Sequence, residues 1–563
     1  MGRHSRPDDV DDDESIHIPA DLAPSGRHAK IWDSPSLSGY AHPSMTNTGQ
    51  LHIDLVAETV LMERIVAKVH EDRDGTLHEP RQPQLDGRAA RRNTVAMLGS
   101  RLAIASMGWA GSMILARVLA PDDFGKFSFV FGLLGVLSVV TDLGVGRVVL
   151  AKLVECNPWE VSYVTTAFIA LRGVLGFIGY ALAVGYVVLL GYSSDVVWAT
   201  VVAGLVVVVA TPSNALSVMY QSRLRMASVA AAETLGQLAQ LVCTIAAVLW
   251  HPVLLVVVAP AVINEVVAAA LKIRGVRAGK AGPLPAARAQ LWRWREMLIE
   301  AVPLTIGFAL LTVLSKVDVL MLGRMDTFDS VGLYTVGYKF ADLLSMVAST
   351  VVGPVTTLLV ATWPAQSEQF RQRTREAAML LAVLGAAATA AFWPTADGVL
   401  ALLYGERFAE GADASRMLVA GSALSMLTEL GLMVLVATGR HRVYPWVALA
   451  ALAANVATNL VLIPRMSFEG AALATVLTEA VMVVAIWVVV ARTVAVRRLF
   501  PFAQASAIAM LGVAVTVWAS LLAEQFDVPW PITAVVAPLC VFAGVHFLPI
   551  TGGLGLVGLV KSR

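Results

Sequence analysis

Long apolar segments separated by short polar turns make up most of this chain. From Thr94 onward the pattern predicts fourteen membrane-crossing helices, because a spanning helix needs about 20 mostly apolar residues. Spans five and six are the hardest to separate, since little polar sequence divides them. The predicted spans cover residues 95–119, 127–150, 164–190, 196–219, 229–250, 252–271, 303–323, 332–358, 377–403, 414–438, 443–463, 470–491, 503–523 and 531–550.

Charge alternates from one connection between spans to the next. Every second connection is basic, for example at Arg371 and Arg375, whereas the others are acidic or neutral, for example at Asp326 and Asp329. Because Lys and Arg favour the cytoplasmic side of a membrane, this alternation predicts an even number of spans. It also predicts a multi-pass membrane protein with both termini in the cytoplasm.

A 207-residue repeat connects the two halves of the chain. Residues 115–140 align without a gap on residues 322–347, and seven of the 26 positions are identical. Leu and Val matches are common in apolar sequence, but matches of Arg, Asp and Gly within one turn are not. Two aromatic positions also correspond. The informative pairs are Arg117/Arg324, Asp122/Asp329, Gly125/Gly332, Phe127/Tyr334 and Phe131/Tyr338.

The repeat predicts the architecture. Six spans separate the two copies, so both halves enter the membrane in the same direction, as in transporters built from parallel repeats. We therefore expect an all-α polytopic membrane protein of about 14 transmembrane helices, with two pseudo-symmetric six-helix lobes and two C-terminal helices. The parts are a tail (1–92), an N-lobe (93–280), a basic cytoplasmic linker (281–300), a C-lobe (301–495), and two further spans with a short cytoplasmic tail (496–563).

The N-terminal tail differs from the rest of the chain. An acidic run extends from Asp8 to Glu14, and Pro, Ser, Gly and His follow with little apolar sequence, which favours disorder. The tail lacks the charge and apolar pattern of a secretory signal. Residues 51–69 have helical spacing and are a candidate membrane-surface or partner helix. We regard the tail as a candidate docking segment for a partner complex.

Composition narrows the functional classes. The chain has 563 residues, of which 57% are hydrophobic and 15% charged, and its mean hydropathy is +0.69. These values are typical of a polytopic membrane protein. The net charge of +1 points to no nucleic-acid partner. Cys156, Cys243 and Cys540 are far apart and predict neither a metal site nor a disulfide framework, and no cofactor is expected.

Ionisable residues lie inside predicted spans. Lys316 and Asp318 fall in the seventh span, where each charge at a helix centre costs roughly 2.5–3.5 kcal/mol on insertion. Residues two apart point to different sides of a helix, so these two cannot pair with each other. Lys339 and Asp342 share a face of the eighth span, and Lys339 lies at about the depth of Asp318. These side chains predict a polar seam inside the membrane.

Several segments combine Gly, Pro and charged residues with apolar sequence at or near the ends of predicted spans. They are ARVLAPDDFGKFSF (116–129), TDLGVGR (141–147), EAVPLTIGFALLTVLSKVDVLMLGRM (300–325) with VGLYTVGYKF (331–340), LLYGERFAEGA (402–412) and NLVLIPRMSFEGAALATVLTE (459–479). These segments resemble those of bacterial polysaccharide flippases, which belong to the multidrug/oligosaccharidyl-lipid/polysaccharide (MOP) exporter superfamily. The similarity covers roughly residues 95–495.

The resemblance implies export of lipid-linked glycans by alternating access, without ATP hydrolysis by the chain itself. It also implies a location in the bacterial plasma membrane, and it makes a glycan-synthesis complex the candidate partner of the N-terminal tail.

Three arginines are candidate substrate-binding residues. Arg101, Arg147 and Arg172 fall in the cytoplasmic half of the N-lobe, and guanidinium groups bind phosphate oxygens in a bidentate way. We hypothesise that they draw the diphosphate of a polyprenyl-linked saccharide into a cavity. Other interpretations stay open. Arg101 and Arg147 could instead snorkel to the interface, and Arg172 could be a structural partner of Glu233 or Glu265.

The remaining intramembrane charges are candidate cavity or coupling residues. Carboxylates among them would aid release of the substrate or bind a coupling cation, a proton or sodium. A purely structural lock between Asp318 and Lys339 is the competing interpretation. Likewise, Gly144 and Gly146 could loosen span two or simply allow close packing. The candidates are Glu233, Glu265, Lys316, Asp318, Lys339 and Asp342. No catalytic residue is expected.

Other functions are less consistent with the pattern. A lipid II flippase or a cation-coupled drug exporter of the same superfamily is the main alternative. A membrane glycosyltransferase or ligase should need sizeable outer loops, which are short here, and the sequence lacks the P-loop of an ATP-driven pump. A scaffold would not need so many intramembrane charges.

Overall fold

The computed structural model describes residues 87–155, 158–223, 225–281, 284–286, 288–494, 496 and 498–547. These residues form fifteen α-helices and contain no strand, which confirms the all-α prediction. The candidate helix over residues 51–69 and most of the predicted N-terminal tail lie outside the described residues. Twelve helical segments within the described residues are long and apolar enough to cross a membrane.

Seven helices form the N-lobe. Spans five and six, which were hard to divide from sequence, are separated by an extended segment over residues 251–253. The first helix begins earlier than the predicted lobe boundary at residue 93. The helices are α1 (Gly87–Val118), α2 (Pro121–Asp142), α3 (Val145–Glu155), α4 (Pro158–Leu189), α5 (Ser194–Gln221), α6 (Met226–Trp250) and α7 (Leu254–Arg277).

Six helices form the C-lobe, and two more follow it. Span nine is divided between α10 and α11 by a 3₁₀ turn at Trp393–Thr395, where Pro394 lacks a backbone donor. The helices are α8 (Trp292–Met325), α9 (Phe328–Thr362), α10 (Ser367–Phe392), α11 (Ala396–Tyr404), α12 (Ala412–Ala437), α13 (Tyr444–Thr493), α14 (Phe502–Phe526) and α15 (Trp530–Phe547).

Part of the predicted linker is helical. Residues 292–300 belong to α8, and they are held against the N-lobe. The Trp294 indole donates a hydrogen bond to the Ala167 carbonyl oxygen at 2.9 Å. Met297 and Ala301 are buried in an apolar cluster with residues of α3 and α4. The sequence prediction missed this extension because its basic residues resemble those of a solvated loop.

Span two is two helices, not one. Leu143 and Gly144 have left-handed backbone angles, with φ of 43° and 61°, and they separate α2 from α3. A Cβ atom on Gly144 would lie 1.7 Å from Thr305 Cγ2 of α8. Both the backbone angle and the close approach therefore require glycine here. Gly146 has only ordinary packing contacts.

The internal repeat is visible in the helix ends. Val118 and Met325 end α1 and α8, and Pro121 and Phe328 begin α2 and α9. Both pairs are 207 residues apart, which is the offset of the sequence repeat. The ends of α3 and α9 have the same offset. The two lobes therefore share their opening helices in register, although only the N-lobe copy is broken after α2.

Helix α13 contains two spans. Its 50 residues include Ser467, which has non-helical angles of φ 55° and ψ −135°. Asn459 and Thr475, on either side of Ser467, both hydrogen-bond to Asp318. In a straight helix these residues would be about 24 Å apart. The chain therefore turns back on itself at Ser467, as the prediction of separate spans eleven and twelve requires.

The lobes meet along α2, α8 and α9. One buried cluster contains Phe129 and Leu133 of α2, Val319 of α8 and Tyr334 of α9. We call the end of the bundle near the α1–α2 and α8–α9 turns the acidic end, and the end near Arg223 and Arg442 the basic end. Helices α14 and α15 pack on α10 through separate apolar clusters.

Candidate functional site

Asp318 is the centre of a buried oxygen-rich cluster. Its side chain is 3% exposed. Asn459 Nδ2 donates to Oδ1 at 2.6 Å, and the hydroxyl groups of Tyr334 and Thr475 donate to Oδ2 at 2.8 Å each. Helix α8 supplies the carboxylate, α9 the phenol, and the two halves of α13 the amide and the second hydroxyl. A carboxylate is thus accommodated in the interior by neutral donors.

One acceptor in this cluster has no partner. Asn459 Nδ2 donates to Asp318 and also to Asn455 Oδ1 at 3.0 Å, whereas Asn459 Oδ1 is buried without a hydrogen bond. A buried unpaired oxygen normally costs free energy. The carboxylate, the Asn side-chain oxygens and the Thr475 hydroxyl oxygen could hold a small monovalent cation, provided that the Asn459 amide and the hydroxyl groups turn their hydrogen atoms away from Asp318. Within the described residues, no group of three or more His, Cys, Asp or Glu could hold a metal.

The N-lobe lacks this cluster. Asp318 corresponds to Gly111 through the 207-residue repeat, and the starts of α6 and α13 place Leu241 opposite Asn459. A Cβ on Gly111 would lie 3.8 Å from Leu241 Cδ1. The same two positions are therefore neighbours in both lobes, but only the C-lobe carries polar groups there.

A second group of charges lies beside the Asp318 cluster. Lys316 Nζ is 5.2 Å from the centre of the Tyr338 ring, within cation–π range. Lys339 and Asp342 are close enough to interact electrostatically with each other and with Lys316. Lys339 and Asp342 are surrounded by protein yet keep partial accessibility. Together with Lys316 they form a second charged group in the C-lobe.

The interpretation of Asp318 and Lys339 as an ion-paired lock is wrong. Asp318 is held by Tyr334, Asn459 and Thr475, and Lys339 interacts with Asp342 instead. Neighbouring side chains on α8 and α9 face different partners. Sequence reasoning also did not select the residues Tyr334, Asn455, Asn459 and Thr475, because neutral residues in a span give little signal.

Two further carboxyl groups face the interior of the C-lobe. Glu429 Oε1 and Glu479 Oε2 are buried without hydrogen-bond partners. Glu479 is close enough to Asp318 to interact with it electrostatically. Glu429 and Arg147 both interact with Tyr444, which begins α13. Arg147, from the N-lobe helix α3, therefore lies at the boundary between the lobes rather than at a lipid interface.

Arg172 has a structural position. It is 4% exposed, and its Nη1 donates to the carbonyl oxygens of Thr141 and Asp142 at 2.8 and 3.1 Å. It also forms a salt bridge with the Asp142 carboxylate. Arg172 thus caps the end of α2 at the break before α3. The suggested partners Glu233 and Glu265 are not the ones observed.

The acidic residues of the N-lobe have their own surroundings. Glu233 Oε1 accepts from Lys272 Nζ at 3.0 Å, and Lys272 is almost fully buried. Glu265 is buried on α7, and Arg101 is half-buried on α1. Asn264 of α7 donates to Gln237 and Gln240 of α6 and so links these two helices. The Glu233–Lys272 pair holds α6 to α7 and belongs to a different place from the C-lobe cluster.

Comparison with known proteins agrees with this architecture. Residues 90–357 match a family described as polysaccharide biosynthesis protein. A search by sequence finds no significant match among curated proteins. The fold is similar to that of the lipid II flippase MurJ in an inward closed conformation, with a TM-score of 0.63, 11% identity, and coverage of 81% of this chain and 98% of that chain.

Two multidrug transporters have similar folds. An inward-facing MATE family transporter of the MOP superfamily gives a TM-score of 0.55 and 13% identity, and covers 70% of this chain and 96% of that one. The MATE multidrug transporter DinF-BH in complex with R6G gives a TM-score of 0.51 and 14% identity, and the match covers 72% of this chain and 95% of that chain. Residues 90–357 therefore carry the match to the polysaccharide biosynthesis protein family, and the chain has the fold of the MurJ and MATE transporters of the MOP superfamily.

Proposed function

We propose that the protein is a flippase that moves a polyprenyl-diphosphate-linked saccharide from the inner to the outer leaflet by alternating access, for cell-surface polysaccharide biosynthesis. The observation that carries this proposal is the group of interacting charges Lys316, Lys339 and Asp342 inside the C-lobe of a fold similar to that of a flippase. Intramembrane charges of this kind are costly unless they serve a passage or a substrate.

The balance of charge in this group favours an anionic head group. Two ammonium groups, Lys316 and Lys339, interact with the Asp342 carboxylate, and within this group positive charge exceeds negative charge by one when all three are ionised. Asp318 and Glu479 are not included in this count, and both are close enough to Tyr338 to interact with it electrostatically. A diphosphate would supply the missing negative charge and several acceptor oxygens. The Tyr338 ring lies under the Lys316 ammonium group. This contact would hold the Lys316 side chain in place for binding the diphosphate.

The arginines have different parts in this proposal. Arg147 lies between the lobes near Tyr444 and Glu429 and is our preferred second contact for the diphosphate. Arg101 remains a candidate contact on α1. Arg172 is better described as a positioning residue, because its guanidinium group already bonds to the end of α2.

A coupling cation is proposed at Asp318. Support comes from the buried Asp318 carboxylate, from the neutral amide and hydroxyl groups around it, and from the unpaired Asn459 Oδ1. Sodium fits a site with one carboxylate and several neutral oxygens, and a proton on Asp318 is the competing form. Glu479 is close enough to Asp318 to interact with it electrostatically, so it would also interact with a sodium ion or a proton bound there.

Lipid II or a drug is the alternative substrate within the same superfamily. A drug exporter should favour cationic substrates, which the two ammonium groups of Lys316 and Lys339 would repel. The transporter fold also makes a glycosyltransferase, ligase or pure scaffold the weaker proposal. A partner complex acting through the N-terminal tail is compatible with the flippase.

Transport can be tested in proteoliposomes with a fluorescent polyprenyl-diphosphate oligosaccharide and a membrane-impermeant quencher. The parent protein should expose the inner-leaflet lipid to quenching. Lys316→Ala and Lys339→Ala should each slow this about tenfold or more, because a hydrogen bond to a charged group contributes roughly 1.5–3 kcal/mol. Arg223→Ala, on an exposed turn, is the matched control.

A fluorescent phosphatidylcholine of the same chain length measures nonspecific scrambling. The flippase proposal fails if both lipids move equally fast, or if the lysine variants match the parent at equal protein abundance.

A further inference from the structure

The repeated turn segments, residues 117–125 and 324–332, lie at the contact between the two lobes. They contain the Arg, Asp and Gly matches of the internal repeat. Each segment ends α1 or α8 and begins α2 or α9. The two lobes therefore touch, at the acidic end, through the same short piece of each copy.

Gly125 and Gly332 bring two backbones into direct contact. A Cβ atom on Gly125 would lie 1.7 Å from the Phe328 carbonyl oxygen, and one on Gly332 would lie 2.4 Å from the Pro121 carbonyl oxygen. No real Cβ atom can occupy either place, and the atoms in the way belong to the main chain. Any larger residue at these positions must separate the first turns of α2 and α9.

The contact is reciprocal. Pro121 and Phe328 are 207 residues apart, as are Gly125 and Gly332. Gly125 of α2 therefore meets Phe328, the first residue of α9, and Gly332 of α9 meets Pro121, the first residue of α2. Two copies of one segment meeting across a twofold axis form this kind of isologous contact. The pseudo-twofold axis relating the lobes thus passes between α2 and α9 at the acidic end.

Two arginines extend the same symmetry. Arg117, which is close to the end of α1, donates from Nε to the Leu403 carbonyl oxygen at 3.0 Å, in α11 of the opposite lobe. Its counterpart Arg324 approaches Tyr192, after α4 of the N-lobe. Burial is the main reason that the pKa of Tyr192 is raised, and Arg324 is close enough to lower it. Each arginine reaches across to the third span of the other lobe.

We propose that Gly125 and Gly332 form a symmetric gate that closes the acidic end of the transport path and must separate whenever that end opens. This inference rests on the proposed function, because a gate is needed only if the lobes alternate in access. The gate also explains why the two turn segments are similar in sequence. Each segment packs against the other at the axis, so a substitution in one copy changes a contact made by both.

Spin labels on the two lobes test the gate. In a chain whose Cys156, Cys243 and Cys540 are replaced by Ala, labels on Ser194→Cys and Glu410→Cys report the acidic end, and labels on Arg223→Cys and Arg442→Cys report the basic end. These four positions are exposed. In purified protein, Gly125→Ala or Gly332→Ala should shift the 194–410 distance distribution to longer values.

Matched glycines serve as controls. A Cβ on Gly135, further along α2, would lie 3.6 Å from the flexible Lys316 side chain, and one on Gly173 would meet nothing within 4 Å. Gly135→Ala and Gly173→Ala should therefore leave the 194–410 distribution unchanged. Distributions for Gly125→Ala and Gly332→Ala that superimpose on the parent would overturn the gate. No saccharide is present, so this outcome is independent of which substrate is carried.

A crosslink tests the gate in a chain that keeps both glycines. A Cβ on Gly132 would lie 3.5 Å from Val319 Cβ of α8, which is within disulfide range. Gly132→Cys with Val319→Cys should crosslink on oxidation, fix the 194–410 distance at its short value and stop transport, and a reductant should restore both. An oxidised, fully crosslinked protein whose 194–410 distance still lengthens would refute the gate even if the alanine variants do not fold.

Discussion

At the scale of single residues, the interior of the C-lobe separates two kinds of charge. Asp318 is surrounded by neutral donors, whereas Lys316, Lys339 and Asp342 share one group of unequal charge. A buried carboxylate with three hydrogen bonds can remain ionised without a basic partner. We propose a small cation at Asp318 and an anion at the lysine group, so two ligands of opposite charge would lie near each other.

The position of Arg172 leads to a prediction about stability. Arg172→Ala removes the cap on α2 and leaves the Asp142 carboxylate partly buried without its partner, which should cost about 3–5 kcal/mol. Thermal unfolding in detergent should show a marked fall in melting temperature, and Arg172→Lys should recover part of it.

Transport separates the two possible roles of this arginine. If Arg172→Ala keeps the parent melting temperature but loses flipping of the diphosphate lipid, Arg172 contacts the substrate, and its assignment as a cap is incorrect.

At the scale of elements, the lobes are joined at both ends by different means. The acidic end uses close backbone contact between α2 and α9. The basic end uses charge: Lys152 of α3 lies 2.7 Å from a Glu296 carboxylate oxygen and 3.2 Å from one of Glu300, both on α8. Backbone contact depends on shape alone, whereas partly exposed ion pairs weaken with salt. Opening of the two ends should therefore respond differently to ionic strength.

A charge swap tests the contact at the basic end. Lys152→Glu places three carboxylates together and should lengthen the 223–442 spin-label distance, with the 194–410 distance unchanged. Adding Glu296→Lys and Glu300→Lys should restore the short distance. Arg295→Glu, on the same turn of α8, is the control.

High salt should lengthen the 223–442 distance in the parent. It should have little effect in Lys152→Met, which has no lysine charge left for salt to screen. If the triple swap fails to shorten the distance while all variants fold, Lys152 does not hold the lobes together.

At the scale of the whole molecule, the two lobes share a plan but not a chemistry. Helix ends correspond at the 207-residue offset, yet Gly111 and Leu241 take the places that Asp318 and Asn459 occupy in the C-lobe. One lobe thus carries the proposed cation site, and its counterpart is packed with apolar groups. A single coupled ion per chain is the natural consequence.

Ion binding tests this asymmetry. Purified protein should bind about one sodium ion per chain in equilibrium dialysis with radioactive sodium, because the N-lobe has Gly111 where the C-lobe has the Asp318 carboxylate. Asp318→Asn should abolish binding, whereas Asp329→Asn, on the acidic turn, should not. Sodium-independent transport that depends on a pH gradient and is lost in Asp318→Asn would assign the site to a proton.

Two bound sodium ions, or one that survives Asp318→Asn, would contradict the assignment to the C-lobe cluster.

The sequence by itself determined the helical class, the repeat and the presence of intramembrane charge. Each of these depends on local composition: an apolar segment of sufficient length must be helical in lipid, because its backbone polar groups need internal partners. Matches such as Gly125/Gly332 could be read from one alignment of the chain with itself. Lys316 and Asp318 were visible because charge is rare in such segments.

Only the tertiary structure decided which charges meet. The sequence predicts similar depths for Asp318 and Lys339, but in the structure Asp318 meets Asn459 and Lys339 meets Asp342. Residues such as Asn459 and Thr475 are distant in sequence and neutral, so no local signal marked them. The break after Asp142 likewise depends on Thr305, which comes from another helix. Partner choice is a property of packing, and it is set by contacts that no single span contains.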